Sequence, residues 1–236
     1  MALILCIETA TPVCSVGLFR DGHTIALLQS SGTNDHAAML AGMINEIFRM
    51  EGLQLQQADA IAVSKGPGSY TGLRIGVSTA KGLCYSTGKP LIAVHTLEAM
   101  ALGMIKSIGS NAEMPQDLLF CPMIDARRME VYCAVYDRKL TEIMPVSPLI
   151  VTGNSFENFL ARKAMLCFGD GADKSASLLE GRKRLFLKTG FTPSAGWMGF
   201  LAEQKLRDGL IENTAYFEPF YLKEFVAGKP VVKGLY

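Results

Sequence analysis

The sequence has almost no excess of charge of either sign. Its 236 residues include 23 lysines and arginines and 22 acids, which gives a formal net charge of +1. Proteins that bind RNA on their own usually present a basic face, because neutralisation of phosphates dominates their affinity. The balance therefore argues against autonomous RNA binding. The longest basic run, Arg182–Arg184, is expected to be a solvated turn.

Paired cysteines and long apolar runs are also missing. None of the six cysteines belongs to a C-x-x-C pair, so zinc or thioredoxin-like chemistry has no support. Buried, reduced thiols in a cytoplasmic protein are expected instead. No apolar run reaches the ~20 residues that span a bilayer, so no membrane contact is expected. The first apolar run ends at Glu8 and has no basic segment before it, which predicts a strand rather than a signal peptide.

Histidine is scarce, and its spacing does not suit a metal site. His23, His36 and His95 are the three histidines, and no two of them are one helical turn apart. Two histidines at that spacing would face the same side of a helix and could share a metal ion. The sequence therefore predicts no metal and no cofactor.

Apolar residues are abundant, and their pattern predicts an α/β protein. They make up 49% of the chain, enough for one large domain or two small domains that share a cleft. In the first half, periodicity and turn signals predict strands and helices in the order β-β-β-α-β-α-β-α. The predicted strands are 3–7, 13–19, 24–28, one at Ile61 and 91–94, and the predicted helices run from Asn34 or Asp35 to Met50, over 73–83 and over 97–105.

The pattern of the second half predicts a repeat of the first after a polar stretch at 109–116. The predicted elements are strands 118–125, 130–136 and 165–168, a helix at 156–162 and a last helix capped by Ser194. This copy has no clear third strand. The duplication predicts mixed sheets flanked by helices, with an N-terminal lobe of residues 1–107 and a C-terminal lobe of residues 108–236. The tail, 216–236, is apolar enough to dock back on the N-terminal lobe.

A glycine-rich turn between a predicted strand and a predicted helix is the most informative segment, at residues 60–76. Such a turn can offer backbone N–H groups to an anion, but many turns need glycine for backbone reasons alone. A second turn, Gly169–Gly171, follows a strand in the same way, although Asp170 would repel phosphate. The candidate loop or nucleotide contacts are Glu8, Thr9, Lys65, Gly66, Pro67, Gly68, Ser69, Arg74, Asp125, Gly169 and Gly171.

Small residues recur every four positions on the helix after the first turn, at Gly72, Gly76 and Ala80. Such a stripe lets a second backbone approach closely. The approaching backbone could belong to a partner helix or to the protein's own sheet, and the spacing alone does not choose between them.

Together these segments resemble the TsaB family, the non-catalytic partner subunit in bacterial tRNA threonylcarbamoyladenosine synthesis. The matching segments are 7–11, 65–76, 80–83, 124–132, 169–172 and 219–222. The resemblance implies a two-lobed actin-like ATPase (ASKHA, ribonuclease H-like) fold. One departure is Glu8, since the family's first strand more often ends in Asp, and a catalytic role for this acid is therefore not expected.

The resemblance also implies partners: a TsaD-like catalytic subunit, a TsaE-like ATPase, and a second copy of the chain when it is alone. Transfer RNA would be met only through the complex. The two helices of the N-terminal lobe would form the partner or dimer interface, and Gly76→Leu would then abolish partner binding in a folded monomer. The interface residues are Leu40, Met43, Ile44, Ile47, Gly72, Leu73, Gly76 and Ala80.

Two catalytic functions are the alternatives to an accessory subunit. An independent actin-like ATPase or small-molecule kinase would need a base, a magnesium site and a nucleotide pocket, for which Glu8 and Asp125 are the available acids. Asp125 and Arg127 are expected to brace a hairpin instead. A metalloenzyme like the catalytic relative would need two histidines where this chain has Thr96 and Met100. We therefore predict an accessory subunit rather than an enzyme.

Overall fold

The computed structural model of this chain describes residues 2–30, 35–109 and 114–222. The alternative helix cap Asn34 and the tail residues 223–236 lie outside the described residues. Within them, no helix is both long enough and apolar enough to cross a membrane.

The N-terminal sheet has five strands in the order β3-β2-β1-β4-β5. The strands are β1 (Leu3–Glu8), β2 (Ser15–Arg20), β3 (His23–Gln29), β4 (Ala60–Gly66) and β5 (Leu91–His95). The first three form an antiparallel meander, whereas β4 and β5 run parallel to β1. Every residue of β1 is buried, because helices cover both faces of the sheet at this central strand.

Two helices, α1 (His36–Met50) and α2 (Tyr70–Thr87), pack on one face of this sheet. The Asp35 side chain accepts a 3.4 Å hydrogen bond from the backbone N–H of Ala38 and caps α1. The Ser69 hydroxyl caps α2 in the same way, at 3.3 Å from the backbone nitrogen of Gly72. This cap explains why α2 begins three residues before the predicted start at Leu73.

The C-terminal sheet repeats the topology of the first, with the order β8-β7-β6-β9-β10. Its strands are β6 (Leu119–Asp125), β7 (Glu130–Tyr136), β8 (Glu142–Ile150), β9 (Met165–Phe168) and β10 (Leu185–Lys188). Two mixed five-stranded sheets of the same order confirm the predicted duplicated, two-lobed fold class.

The prediction that the second copy lacks a third strand is wrong. That strand is β8, which pairs antiparallel with β7 at the edge of the sheet. It contains Pro145 and Pro148, and proline is tolerated at an edge because the missing N–H need not bond a neighbour. Proline and half-exposed residues together hid the strand pattern.

One helix, α3 (Thr96–Ile108), packs against both sheets. Ala99 and Leu102 belong to the apolar cluster on the N-terminal sheet. Leu97 and Met100 belong to the cluster on the C-terminal sheet, together with Ala101 and Met104. The two lobes are therefore joined by a shared apolar layer.

The last part of the chain returns to the N-terminal lobe, which corrects the predicted lobe of residues 108–236. Ser194 caps a short 3-10 turn, Ala195–Trp197, and not the last helix, α7 (Gly199–Arg207). Both the turn and α7 pack on the N-terminal sheet. The other face of the C-terminal sheet is covered by three short helices, α4 (Glu157–Leu160), α5 (Asp170–Lys174) and α6 (Ala176–Leu179), of which α4 is shorter than the predicted 156–162.

After α7 the chain crosses the N-terminal lobe as a strap, residues 212–222. The backbone N–H of Glu212 donates to Leu91 O at 2.8 Å, and that of Phe220 donates to Lys65 O at 2.7 Å. Between them, the ammonium of Lys81 donates to the carbonyl oxygens of Ala215 and Phe217. These contacts bring the strap to the junction of the two lobes.

Candidate functional site

A cleft of about 430 Å³ lies between the lobes, where strand ends from both sheets meet. From the N-terminal lobe it is lined by residues 10–12, by the turn 67–69 and by the start of α2. From the C-terminal lobe come the end of β6, Arg127, Tyr132 and Asp170. Phe220–Leu222 of the strap line the same cleft.

The glycine-rich turn lines this cleft but uses its polar groups internally. The backbone N–H of Ser69 donates to Ala10 O at 2.7 Å, and the hydroxyl of Ser69 caps α2. A Cβ at Gly68 would lie 2.4 Å from Ala10 O, so glycine is required for this close approach. Pro67 has no N–H to offer. The turn is therefore built for packing against the loop after β1, and the phosphate-binding alternative gains no support.

Glu8 and Thr9 do not reach the cleft, contrary to the prediction. Both are fully buried, and one carboxylate oxygen of Glu8 accepts hydrogen bonds from Ala10 N at 2.6 Å and from Ser64 Oγ at 2.8 Å. Burial raises the pKa of Glu8 to about 7. The Glu8 side chain thus fixes the loop that follows β1 and cannot touch a ligand in the cleft.

Lys65 and Gly66 do not line the cleft either. Lys65 is half-buried, and its pKa is lowered by burial and by the nearby charge of Lys205. Its carbonyl oxygen holds the strap, and buried Gly66 lies against Phe220 O. Both residues therefore serve the docking of the strap, which the sequence prediction had not connected with them.

Asp125 does line the cleft, where it braces a hairpin. It forms an ion pair with Lys174 and accepts a 2.6 Å hydrogen bond from the backbone N–H of Arg127. Its own backbone N–H donates to an Asp170 carboxylate oxygen at 3.0 Å. Burial raises the pKa of Asp170 above its usual range, and the hydrogen bond from the Asp125 backbone opposes this shift. Asp125 and Asp170 line this wall of the cleft beside Arg127, and the charge of Asp125 is already matched by Lys174.

The second glycine turn is also explained by packing. A Cβ at Gly169 would lie 2.3 Å from Met123 O, and one at Gly171 would lie 2.9 Å from the carbonyl carbon of Ile124. Both glycines are buried under β6, and neither lines the cleft. Their packing gives no support to a contact with a nucleotide, which stays a prediction.

At the rim of the cleft, Arg74 is held by two tyrosines that the sequence did not single out. Its guanidinium lies 4.3 Å from the centre of the Tyr70 ring, and Nε donates to the Tyr221 hydroxyl at 3.3 Å. The two rings are 5.0 Å apart. Proximity of the strap to α2 creates this cluster, and no local sequence pattern could reveal it.

The predicted interface residues are mostly core. Gly76 is buried because α2 crosses the end of β1 closely: a Cβ there would lie 2.2 Å from the Thr9 hydroxyl oxygen. The stripe of small residues therefore serves the protein's own packing, and contact of these positions with a partner stays a prediction. The residues buried within the single chain are Leu40, Ile44, Ile47, Gly72, Leu73, Gly76 and Ala80, whereas Met43 is half-buried.

An open groove of about 510 Å³ lies beside these core residues, between α1, α2 and the loop 53–56. Phe48, Leu53, Leu55 and Leu83 make it largely apolar, and Thr79 lies on its α2 side. Ile44 is the one predicted interface residue that also lines it. The leucines at 53, 55 and 83 are half-buried, and the sequence analysis did not connect them with a groove.

Among the described residues, no three His, Cys, Asp or Glu side chains converge in a way that could hold a metal ion. The six cysteines are buried free thiols.

Known proteins resemble this chain both in sequence and in structure. Residues 30–162, just over half of the chain, match the family model described as TsaD, tRNA N6-adenosine threonylcarbamoyltransferase. The curated protein of Escherichia coli (strain K12) named tRNA threonylcarbamoyladenosine biosynthesis protein TsaB is 38% identical over 57% of this chain and 55% of its own length. The protein of the same name from Bacillus subtilis (strain 168) is 33% identical over 60% of this chain and 59% of its own.

The chain thus spans somewhat more than half the length of these curated relatives. In structure, YeaZ from Pseudomonas aeruginosa matches 94% of this chain and 100% of its own, with a TM-score of 0.75 and 25% identity. A second Pseudomonas aeruginosa structure, described as similar to peptidase YEAZ, has a TM-score of 0.79 at 24% identity and supports the fold alone. The chain belongs to the tRNA N6-adenosine threonylcarbamoyltransferase family, and the relatives from Escherichia coli and Bacillus subtilis described above are named TsaB.

Proposed function

We propose that this chain is a non-catalytic subunit for the synthesis of threonylcarbamoyladenosine in tRNA, acting in the cytoplasm. It would pair with a TsaD-like catalytic subunit that modifies the adenosine beside the anticodon of ANN-decoding tRNAs. The names of its curated relatives support the pathway. The resemblance further implies a TsaE-like ATPase as a third component.

The observation that carries the partner role is the apolar groove on α1 and α2. It is open to solvent, has a volume of about 510 Å³, and is lined by Phe48 and three leucines. Apolar surface that remains open on a folded monomer is characteristic of a binding site for another protein. An amphipathic helix of the partner is the element that such a groove accepts. In isolation, the same groove would close a two-fold homodimer.

The geometry of the cleft between the lobes supports a non-catalytic role for this chain. Its best-placed acid, Asp125, is paired with Lys174. In the glycine-rich turn, the backbone N–H of Ser69 already donates to Ala10 O. Phosphoryl transfer needs donors and a metal site directed at the phosphates. Buried Glu8 cannot serve as the base. We therefore assign the reaction to the partner.

The test uses a matched pair of neighbouring hydroxyl residues on α2. Thr79 lines the groove and Ser78 is exposed outside it. Thr79→Arg should abolish both the homodimer and the one-to-one complex with the TsaD-like protein of the same organism, while Ser78→Arg should leave both intact. Size-exclusion chromatography with light scattering measures each mass. A wild-type monomer that ignores the partner would overturn the proposal.

A further inference from the structure

Two basic segments that are distant in sequence meet at one edge of the C-terminal sheet. β9 and β10 run parallel, and the backbone N–H of Met165 donates to Arg184 O at 2.9 Å. The residues before both strands therefore lie together. We call this set the basic patch: Arg162, Lys163, Arg182, Lys183 and Arg184.

Two of the three arginines of the patch are held in place by carbonyl groups rather than by acids. Arg184 donates to Ala161 O at 3.1 Å, and Arg182 donates to Ser155 O. Within the described part of the chain, no side chain of the patch forms an ion pair. A guanidinium has five donor hydrogens, so each arginine keeps donors for a second partner. Four of the five side chains are exposed, and Arg182 is half-buried.

An exposed aromatic ring continues the patch along the edge strand. Phe186 and Lys188 are the exposed residues of β10, and alternation along the strand places them on one face. Phe186 is 38% exposed, which is unusual for phenylalanine in a sheet. Cations beside an accessible ring are the combination by which proteins hold phosphates and stack an unpaired base. Against the five cations, the flanking segments carry two exposed acids, Glu157 and Glu180.

We propose that the basic patch binds the phosphate backbone of RNA, with Phe186 stacking on an unpaired base. This inference rests on the proposed function, which supplies a tRNA to the complex. It agrees with the near-zero net charge of the chain, since a patch of five cations adds affinity to a complex without making the chain an RNA-binding protein on its own.

Two double variants with the same change of charge test the patch. Lys163→Glu with Lys183→Glu reverses two exposed charges in it, and Arg20→Glu with Arg207→Glu reverses two exposed charges on the N-terminal lobe. Each is assembled with the TsaD-like subunit, and tRNA affinity is measured by filter binding over a range of salt concentrations. The patch variant should bind tRNA roughly 10-fold more weakly. The slope of the logarithm of affinity against the logarithm of salt concentration should fall by the amount expected for the loss of about two phosphate contacts. The control should behave as wild type.

Phe186 gives an independent measurement. Phe186→Ala should weaken tRNA binding by at least about 5-fold, and Phe186→Tyr should restore it, because tyrosine keeps the stacking face.

The outcomes separate this inference from the proposed function. If the wild-type chain assembles and both double variants bind tRNA equally, the patch proposal is wrong and the partner role stands. If the patch variant assembles poorly but each assembled complex binds tRNA normally, the patch contacts protein, and the RNA proposal is again wrong. If the wild-type chain does not assemble at all, both proposals fall together.

Discussion

The hydroxyl of Thr9 donates a 2.8 Å hydrogen bond to the backbone carbonyl oxygen of Gly72, at the place where α2 crosses the end of β1. Both residues are buried, so the bond is shielded from water. It joins two segments that the sequence analysis had assigned to different roles, a ligand contact and a partner interface. Both turn out to belong to one packed junction inside the N-terminal lobe.

The first prediction concerns this junction. Gly76→Ala should lower the free energy of unfolding by roughly 1–3 kcal/mol, because its Cβ would lie 2.2 Å from the Thr9 hydroxyl oxygen. Gly82→Ala on the same helix meets nothing within 4 Å and should stabilise the protein by up to about 1 kcal/mol. Urea unfolding of the two variants measures both. Equal stability of Gly76→Ala and wild type would contradict the packing account. Gly76→Leu is accordingly a folding variant and not the interface probe that the sequence suggested.

The second prediction concerns pH. Burial raises the pKa of Glu8 to about 7 from its ordinary value of 4.5, so between these pH values the folded state binds more protons than the unfolded state. The contribution of Glu8 to stability is therefore fully present below about pH 4.5 and is lost as pH rises through about 7. His95 has the opposite effect, because burial lowers its pKa to about 4.

The Glu8 effect is isolated by comparing Glu8→Gln with wild type at each pH. The difference in unfolding free energy should shift in favour of the glutamine variant by roughly 3 kcal/mol between about pH 4.5 and about pH 7. Chemical denaturation at several pH values gives this difference. A difference that does not change with pH would mean that the carboxyl group is not desolvated.

The third prediction concerns the strap. Lys81→Met removes the ammonium that bonds the carbonyl oxygens of Ala215 and Phe217. The backbone amides of Glu212, Phe217 and Phe220 should then exchange hydrogen about 5-fold faster, the effect of losing on the order of 1 kcal/mol. Hydrogen exchange with mass spectrometry follows peptides covering 212–222. Lys81→Arg should largely retain protection, and unchanged exchange in Lys81→Met would show that the strap is held by its apolar residues alone.

The fourth prediction concerns nucleotide. The isolated chain should show no ATP hydrolysis above buffer, and ATP with magnesium should leave its melting temperature unchanged. The reason is that the Asp125 carboxylate, its partner Lys174 and the backbone N–H of Ser69 are all bonded within the protein. Calorimetry and a phosphate-release assay test this. A clear rise in melting temperature that is lost in Asp125→Asn would favour the alternative of an independent ATPase.

Sequence periodicity located most of the fold because its strands are buried and its helices amphipathic. β7 was predicted with its observed bounds, Glu130–Tyr136. The edge strands of the C-terminal sheet escaped detection, since β8 contains two prolines and β10 has no fully buried residue. A local sequence pattern does not show whether an irregular segment pairs with the edge of a sheet.

For the site, the glycine-rich turn located the cleft correctly, as Pro67, Gly68 and Ser69 line it. Its role could not be predicted, because a glycine required by a close backbone approach and one that frees an N–H for a ligand look the same in sequence. The destination of the N–H of Ser69, Ala10 O, depends on a loop almost sixty residues earlier. The same holds for Arg74, whose partner Tyr221 lies 147 residues later.

The position of α3 between the two sheets has a mechanical consequence. Proteins that close two lobes over a substrate need a hinge with little apolar surface across it. Here any change of angle would pull Leu102 from one sheet or Met100 from the other, exposing side chains that are now almost entirely buried. We therefore expect the angle between the two lobes to stay constant. The surfaces of the N-terminal and C-terminal lobes then keep a fixed position relative to one another.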